Sequence, residues 1–567
     1  MLKRRETMKK EIDCLLIGHN QVDYQEYEKS VRDLGTNSGA YNDLKKNFIR
    51  YNGKNYNAAD VFNLFCCYDN LYSDSVQPIG LVETFSNGIA YLGTYLHRRG
   101  LTFDYINSFQ DEKEELAEKL SQQKVLTVGI LTTLYVSTLP IFEIVEFIRE
   151  HNKTAKIVIG GPLISTKCRT LDEMEFRYLL KSMGADFYVN NSQGEAALVN
   201  IIRTLKKDLA IENVNNIYFK KGSEYTGTPL VQENNMLADN MVDWDLFEDV
   251  GNFVNIRTCI SCPFSCAFCG FPQHAGQYQT APVEAIEKEL NRLAKKEMVR
   301  SIHFVDDTFN IPLKRFKDIL RMMIKNKYPF KWSSFLRCQY ADKEMLDLMK
   351  ESGCESVIMG LESGSNAILR NMNKKVTVED YGKGLDLINA YGIISIGNFV
   401  VGFPGETEQT VQESIDFIKE SGIDFYRSQL WYCEPITPIW QQRETYNITG
   451  EHFEWSHSTM DSRTASKMVD KMILAIDRPT RFPQYYFDYD NIVQLFYKGV
   501  SLEQTDRFLQ AFNQGIREKI LYPYHKEASF EVIKQVKESC CGESGYSSGR
   551  DDELHNISEE EPVEFDF

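Results

Sequence analysis

With 567 residues and 43% hydrophobic side chains, the chain is long enough for two to four cored domains. Its 64 basic residues face 81 acidic ones, a net charge of −17, which argues against a general grip on nucleic acid. No apolar stretch approaches the ~18 residues that span a membrane, and the basic opening MLKRRETMKKEIDCLL lacks the apolar core of a secretion signal, so a cytoplasmic protein with reduced thiols is expected.

The first half alternates strands and helices. DCLLIG (Asp13–Gly18) reads as a buried strand, SNGIAYLGTYLHRRG as a serine-capped helix, and LTFDYIN and KVLTVGILTT as further strands. A helix around Pro140–His151 leads into KIVIGGP (Lys156–Pro162), a fourth strand. GADFYVNNSQGEAALVNII supplies a fifth strand, a turn and a helix, and NNIYFKKG an edge strand. This pattern predicts a doubly wound, Rossmann-like parallel sheet over residues 11–235. Gly160, Gly161 and Gly194 fall at strand ends, where bare backbone admits a large ligand. An aromatic-rich insert over about residues 20–85 is expected to form an ordered cap. Its adjacent Cys66 and Cys67 are poor co-ligands and are expected to pack.

TCISCPFSCAFCGFP (Thr258–Pro272) then places four cysteines in eleven residues. Disulfides, a zinc site and an iron–sulfur cluster are the alternatives. Disulfides suit a cytoplasmic protein badly. Zinc sites commonly pair two knuckles across a spacer, and no second pair follows. Cys262, Cys266 and Cys269 form C-x3-C-x2-C, which would hold a [4Fe–4S] cluster with one iron left open. Cys259 reads as an ordinary strand or loop residue.

Beyond the cysteines, SIHFVDDTFN, KWSSFLRC, ESVIMGLESGS, IISIGNFVVGFPGET and FYRSQLWYCEPITP alternate with helices. They predict a partial (β/α)6 barrel over 236–440, with polar residues gathered at the strands' carboxyl ends. Residues 441–540 read as mostly helical. His452 and His457 within them are poorly spaced for one metal. The tail, 541–567, ends in DDELHNISEEEPVEFDF, with eight acids and no Lys or Arg; it is expected to be disordered, or else to dock on a basic partner.

Taken together, IVIGGP, GADFYVNNSQGEAAL, the C-x3-C-x2-C loop with Phe268 before its last cysteine, FVDDTFN, MGLESGS and VVGFPGET resemble the cobalamin-dependent radical S-adenosylmethionine (SAM) enzymes over roughly Asp13–Trp440. The opening DCLLIGHN and YLGTYLHRRGLTFDYIN resemble the branch containing the phosphinate P-methyltransferase of phosphinothricin tripeptide biosynthesis. The resemblance implies a [4Fe–4S] cluster on Cys262, Cys266 and Cys269, with SAM on the open iron. It implies that Asp306 or Asp307 meets the SAM amino group, Arg337 its carboxylate or ribose, Glu362 its ribose hydroxyls, and that Gly402 lies near the adenine. It places cobalamin against Gly160, Gly161, Gly194 and Glu195. The Asp-x-His-x-x-Gly motif that puts a histidine on cobalt is absent, so none is expected there. The implied activity is methyl transfer from SAM, through the corrinoid, to an unactivated carbon or phosphinate phosphorus of a small-molecule or peptide substrate. It would need an external low-potential electron donor. A non-methylating cobalamin radical SAM enzyme and an inactive cluster- or zinc-binding scaffold are the alternatives.

Overall fold

The computed structural model of the protein describes residues 10–68, 78–80, 82, 84–133, 135, 138–191, 193–485, 487 and 489–540. The acidic tail expected to be disordered lies outside the described residues.

The first sheet joins β1 (Glu11–His19), β2 (Phe103–Ser108), β3 (Lys124–Leu131), β4 (Lys156–Gly160) and β5 (Phe187–Val189) in the parallel order β2-β1-β3-β4-β5. β1 lies one strand in from the edge and is buried on both faces. Cys14 and Leu16 join one core, Leu15 and Ile17 the other, which is why its sequence is an apolar run rather than an alternation. The helix Leu139–His151 buries Ile141, Ile144, Val145 and Ile148 at helical spacing. Ile217–Lys221 (β6), expected at the edge, is paired on both sides. Gly222, at φ +67°, lets the chain reverse and lay Glu224–Gly227 (β7) outside it, both strands antiparallel.

The second sheet runs β8 (Phe253–Ile256), β9 (Ser301–Phe304), β10 (Lys331–Phe335), β11 (Cys354–Glu362), β12 (Ile394–Val401), β13 (Phe425–Leu430) and β14 (Thr480–Arg481), all parallel and in chain order. Six units thus form the partial barrel, and the C-terminal segment lends a two-residue strand to its last edge. The outer helices each bury one stripe, as Phe316, Ile319, Leu320 and Met323 do on Leu313–Asn326.

The described part of the insert is ordered, and it packs on the C-terminal helices. Phe62 meets Phe508 edge-on, Lys46 pairs with Asp470 at 3.0 Å, and Arg481 donates to Asn47 Oδ1 at 3.0 Å. The expectation that Cys66 merely packs is corrected: it forms a disulfide with Cys540, 474 residues away. No local pattern signals this, because the partner sits at the far end of the chain. No helix among the described residues is long and apolar enough to cross a membrane.

Candidate active site at the facing strand ends

The cysteine loop follows β8 and is fixed by hydrogen bonds from three directions. Asp306, just beyond β9, accepts from the Thr258 N–H (2.7 Å), the Cys259 N–H (2.9 Å) and the Thr258 hydroxyl. Arg315 donates to the carbonyl and hydroxyl of the same threonine, 2.8 Å each. The Ala267 N–H reaches Met372 O at 2.8 Å, and the Ile439 N–H reaches Ala267 O at 2.9 Å. Cys259 pairs with Thr280 in a short antiparallel hairpin, apart from the trio.

Cys266 is buried and accepts from Arg337 Nη2 at 3.3 Å; Cys269 accepts from the Phe271 N–H at 3.4 Å; Cys262 lies 3.7 Å from the Thr308 hydroxyl. Burial pushes the Cys262 and Cys269 thiols up, the latter to about 12. All three are free of disulfides. Among the described residues no three His, Cys, Asp or Glu side chains converge on a single-ion site. The donor set is one of sulfurs spread along a loop with a guanidinium at its centre, which fits a polynuclear cluster better than a lone zinc ion needing four ligands at ~2.3 Å.

Around the trio runs a connected network. Arg337 is buried, lies 3.5 Å over the Phe264 ring and donates Nη1 to Lys374 O at 3.1 Å. Lys374 Nζ sits 2.8 Å from Glu362 Oε1 and 5.4 Å over Phe268. Phe268, Cys266, Arg337 and Glu362, inferred separately from sequence, are therefore neighbours. Lys374, which joins them, went unnoticed because its strand-remote NMNKKV context reads as an exposed turn. Two of the carboxylates that the resemblance offers to SAM have protein partners in the structure. Asp306 spends its oxygens on the cysteine loop, and Glu362 is paired with Lys374. Asp307 beside it is exposed; the protein packed around it pushes its carboxyl up to about 7, with the Asp306 charge adding to the push.

Gly402 is held at φ +94°, and a Cβ there would meet Trp455 at 2.5 Å and Ala465 at 2.7 Å. His457 Nε2 lies 3.0 Å from its carbonyl, so this glycine serves a packed aromatic corner. The buried Glu406 accepts from its N–H. Inside the barrel, Asn255 Oδ1 on β8 and Asn398 Oδ1 on β12 are buried without a protein partner among the described residues, positions suited to a polar ligand.

At the first sheet, Gly161 (φ +124°) and Gly194 (φ +73°) begin the helices Pro162–Thr170 and Glu195–Lys206. A Cβ would meet Thr132 Oγ1 at 2.6 Å and Val189 Cγ1 at 2.8 Å respectively, so protein packing as well as ligand access demands glycine at both. Glu195 is buried; its Oε2 accepts from Asn235 at 2.8 Å, and burial pushes its carboxyl up to about 7 against the pull of Arg257. His19, at the carboxyl end of β1, was missed from sequence: its Nε2 is buried and unpartnered, as is Ser165 Oγ on the helix after Gly161. Burial lowers the His19 imidazole to about 4 and keeps it neutral. Backbone-lined strand ends with two orphaned polar atoms fit a large polar cofactor.

The helices that follow the two sets of strand ends touch. Thr166, on the helix after Gly161, lies 3.1 Å from His274 Nδ1 on the helix after Cys269, and Arg169 donates to the Gln273 carbonyl.

Comparison with known proteins agrees with this geometry. Residues 256–418 match the family model for the radical SAM superfamily. An uncharacterized methyltransferase of Pyrococcus horikoshii is 24% identical over 322 residues, which cover 54% of this chain and 67% of that one. The anaerobic magnesium-protoporphyrin IX monomethyl ester cyclase of Cereibacter sphaeroides is 25% identical over 375 residues, 62% of this chain and 59% of that one. Among solved structures, the radical SAM methyltransferase TsrM of Kitasatospora setae, with cobalamin and a [4Fe–4S] cluster bound, superposes with a TM-score of 0.58 at 15% identity. The match covers 80% of this chain and 97% of TsrM, a likeness of fold.

Proposed function

Since this chain carries a radical SAM domain within the two-domain fold of the cobalamin-dependent radical SAM enzymes, we propose that it is a methyltransferase. It moves a methyl group from SAM, by way of cobalamin, to an unactivated carbon or phosphinate phosphorus of a natural-product or peptide substrate. The observation that supports this reading most is the contact between Thr166 and His274, which sets the GGP strand end opposite the cysteine loop. When bound, the cluster supplies the electron that cleaves SAM, and the corrinoid supplies a methyl carrier.

The protein's own residues have definable tasks. Cys262, Cys266 and Cys269 would hold the cluster. Arg337, aimed at the Cys266 sulfur, stabilises negative charge there by a charge-assisted hydrogen bond. Asp306 and Arg315 hold the loop's entrance so that the sulfurs keep their spacing. Asp307, exposed at the same strand end, is left to meet a cationic group such as the SAM amine, and Asn255 and Asn398 to meet polar atoms of SAM or substrate. The helices Pro162–Thr170 and Phe271–Ala275 close one side of the seam and limit water there.

The test is anaerobic reconstitution with iron, sulfide, hydroxocobalamin, SAM and a low-potential reductant. Bound corrinoid, 5′-deoxyadenosine and S-adenosylhomocysteine are quantified beside a Cys266→Ala control. Corrinoid with both nucleosides, the deoxyadenosine lost in the control, supports the methyltransferase. Deoxyadenosine without S-adenosylhomocysteine, across phosphinate and peptide acceptors, favours a non-methylating enzyme, the reading to which the cyclase relative points. Absence of corrinoid binding refutes both.

A further inference from the structure

The C-terminal segment encloses a cavity of about 700 Å³ between the end of the helix Ser462–Ala475, β14 and the helices Leu502–Leu521 and Phe530–Ser539. Four arginines line it, Arg478, Arg481, Arg507 and Arg517, against two acids, Asp477 and Glu538, so its wall carries a net charge of +2. The nearby acids are already taken. Arg517 donates to Asp477, Arg478 pairs with Asp506 at 2.7 Å, and Glu538 faces Lys534 at 3.9 Å. Two arginines are left over. Arg481 is 4% exposed, yet no carboxylate meets it. Its Nη1 and Nη2 donate to the amide oxygens of Asn513 at 3.5 Å and Asn47 at 3.0 Å, and its Nε is buried without a partner. Asp43 and Asp470, whose charges act on it, are held by Tyr485 and Lys46. Arg507 has no hydrogen bond or ion pair among the described residues, and its Nε is buried too. A guanidinium taken from water without a carboxylate costs free energy that folded proteins ordinarily recover by pairing it. Its planar fork of donors also fits the oxygens of a phosphate. The cavity is remote from the cysteine loop: β14 pairs with Phe425 and Tyr426 at the amino end of β13, whereas the loop lies at the strands' carboxyl ends.

We propose that this cavity is a second ligand site, separate from the active site, and that it takes a phosphate dianion, either free or as the head of a monoester. A phosphate group carries about two negative charges at neutral pH, which balances the wall. The guanidinium of Arg507 and the spare donor of Arg481 hold it, and a cavity of this volume leaves room for an organic part. Arg481 is also bonded to Asn47 of the insert, so a ligand on it ties the insert, the barrel edge and the last two helices together. Occupancy is therefore expected to raise stability. The inference stands apart from the methyltransferase reading, since neither SAM, corrinoid nor acceptor enters it.

The experiment is titration calorimetry, with thermal melts alongside, of the full-length protein without SAM at fixed ionic strength. The probes are inorganic phosphate, glycerol 3-phosphate, ribose 5-phosphate and, as a dicarboxylate of the same charge, succinate. Wild-type protein is expected to bind one equivalent of phosphate or ester and to melt at a higher temperature with it, while succinate binds about tenfold more weakly. An ester bound more tightly than inorganic phosphate identifies a monoester as the ligand; equal affinities identify free phosphate. Arg507→Gln is expected to weaken binding about tenfold, the share of one charge-assisted contact, and Arg507→Lys, which keeps the charge without the fork, by less. Arg507 has no protein partner among the described residues, so both variants are expected to fold, which melts without ligand check. Three results would each overturn the proposal: wild-type protein that binds no phosphate probe saturably, succinate bound as tightly as phosphate, or an affinity that Arg507→Gln leaves within about twofold.

Discussion

Replacing Lys374 by methionine tests whether the network behind the cysteine loop is an electrostatic unit. Lys374 and Glu362 are 2.8 Å apart, with side chains only 7% and 9% exposed. Methionine keeps most of the lysine stem and removes the charge. Glu362 sits at φ +66° between Leu361 and Ser363 and has little freedom to swing towards water. Leaving a buried carboxylate without its partner costs about 3–5 kcal/mol. Urea unfolding of SAM-free protein at pH 8, compared at equal m-value, reads this directly. Lys374→Met/Glu362→Gln is expected to recover most of the loss. A single variant within about 1 kcal/mol of wild type at pH 8 would refute the reasoning.

Other expectations follow from single sites. Glu289 is buried, with Oε1 on Trp244 Nε1 at 3.0 Å, Oε2 unpartnered and its carboxyl pushed up to about 8 by burial. Its folded value exceeds its unfolded one, so its contribution is full in acid and is lost as pH rises towards 8; Glu289→Gln should flatten the decline in melting temperature between pH 5 and 8. Gly402→Ala, strained in φ and meeting Trp455 at 2.5 Å, should cost several kcal/mol, roughly 2–4. Gly405→Ala, at the same φ but meeting the flexible Asn371 amide, should cost less, and equal denaturation midpoints would count against the packing argument. Cys266→Ser should lose most iron and sulfide after reconstitution while Cys259→Ser keeps them, by colorimetric assay. Digestion without reductant should yield a Cys66–Cys540 peptide pair in the mass spectrum; its absence in protein purified in air would place both thiols in the reduced state.

Elements built on local pattern were legible from the sequence. β1 reads as a buried strand because both faces are covered, and the capped helix Asn87–His97 reads from Ser86 and its apolar spacing. The cysteine trio was legible because its spacing is itself the signal. What escaped depends on long-range meetings. Lys374 gains its role only when its turn folds under Phe268, and Thr166 and His274 are 108 residues apart until their helices meet. The resemblance offered Asp306 or Asp307 to the SAM amine, and only the fold shows that Asp306 accepts from the Thr258 and Cys259 N–H groups while Asp307 is left exposed. β14 was invisible, two residues being too few to carry a period.

That short strand also sets a timetable for synthesis. β13 presents an unpaired edge until Thr480 emerges, and about 50 residues separate it from Leu430, a wait of roughly 3–10 s on a translating ribosome. The insert waits far longer. Asn47 meets Arg481 across a separation of 434 residues, roughly 20–90 s of translation. Through that interval Phe62 and its neighbours lack the helix that covers them, so this apolar surface stays open until the C-terminal helices emerge. Slower translation would lengthen that exposure, and loss of the C-terminal helices would make it permanent.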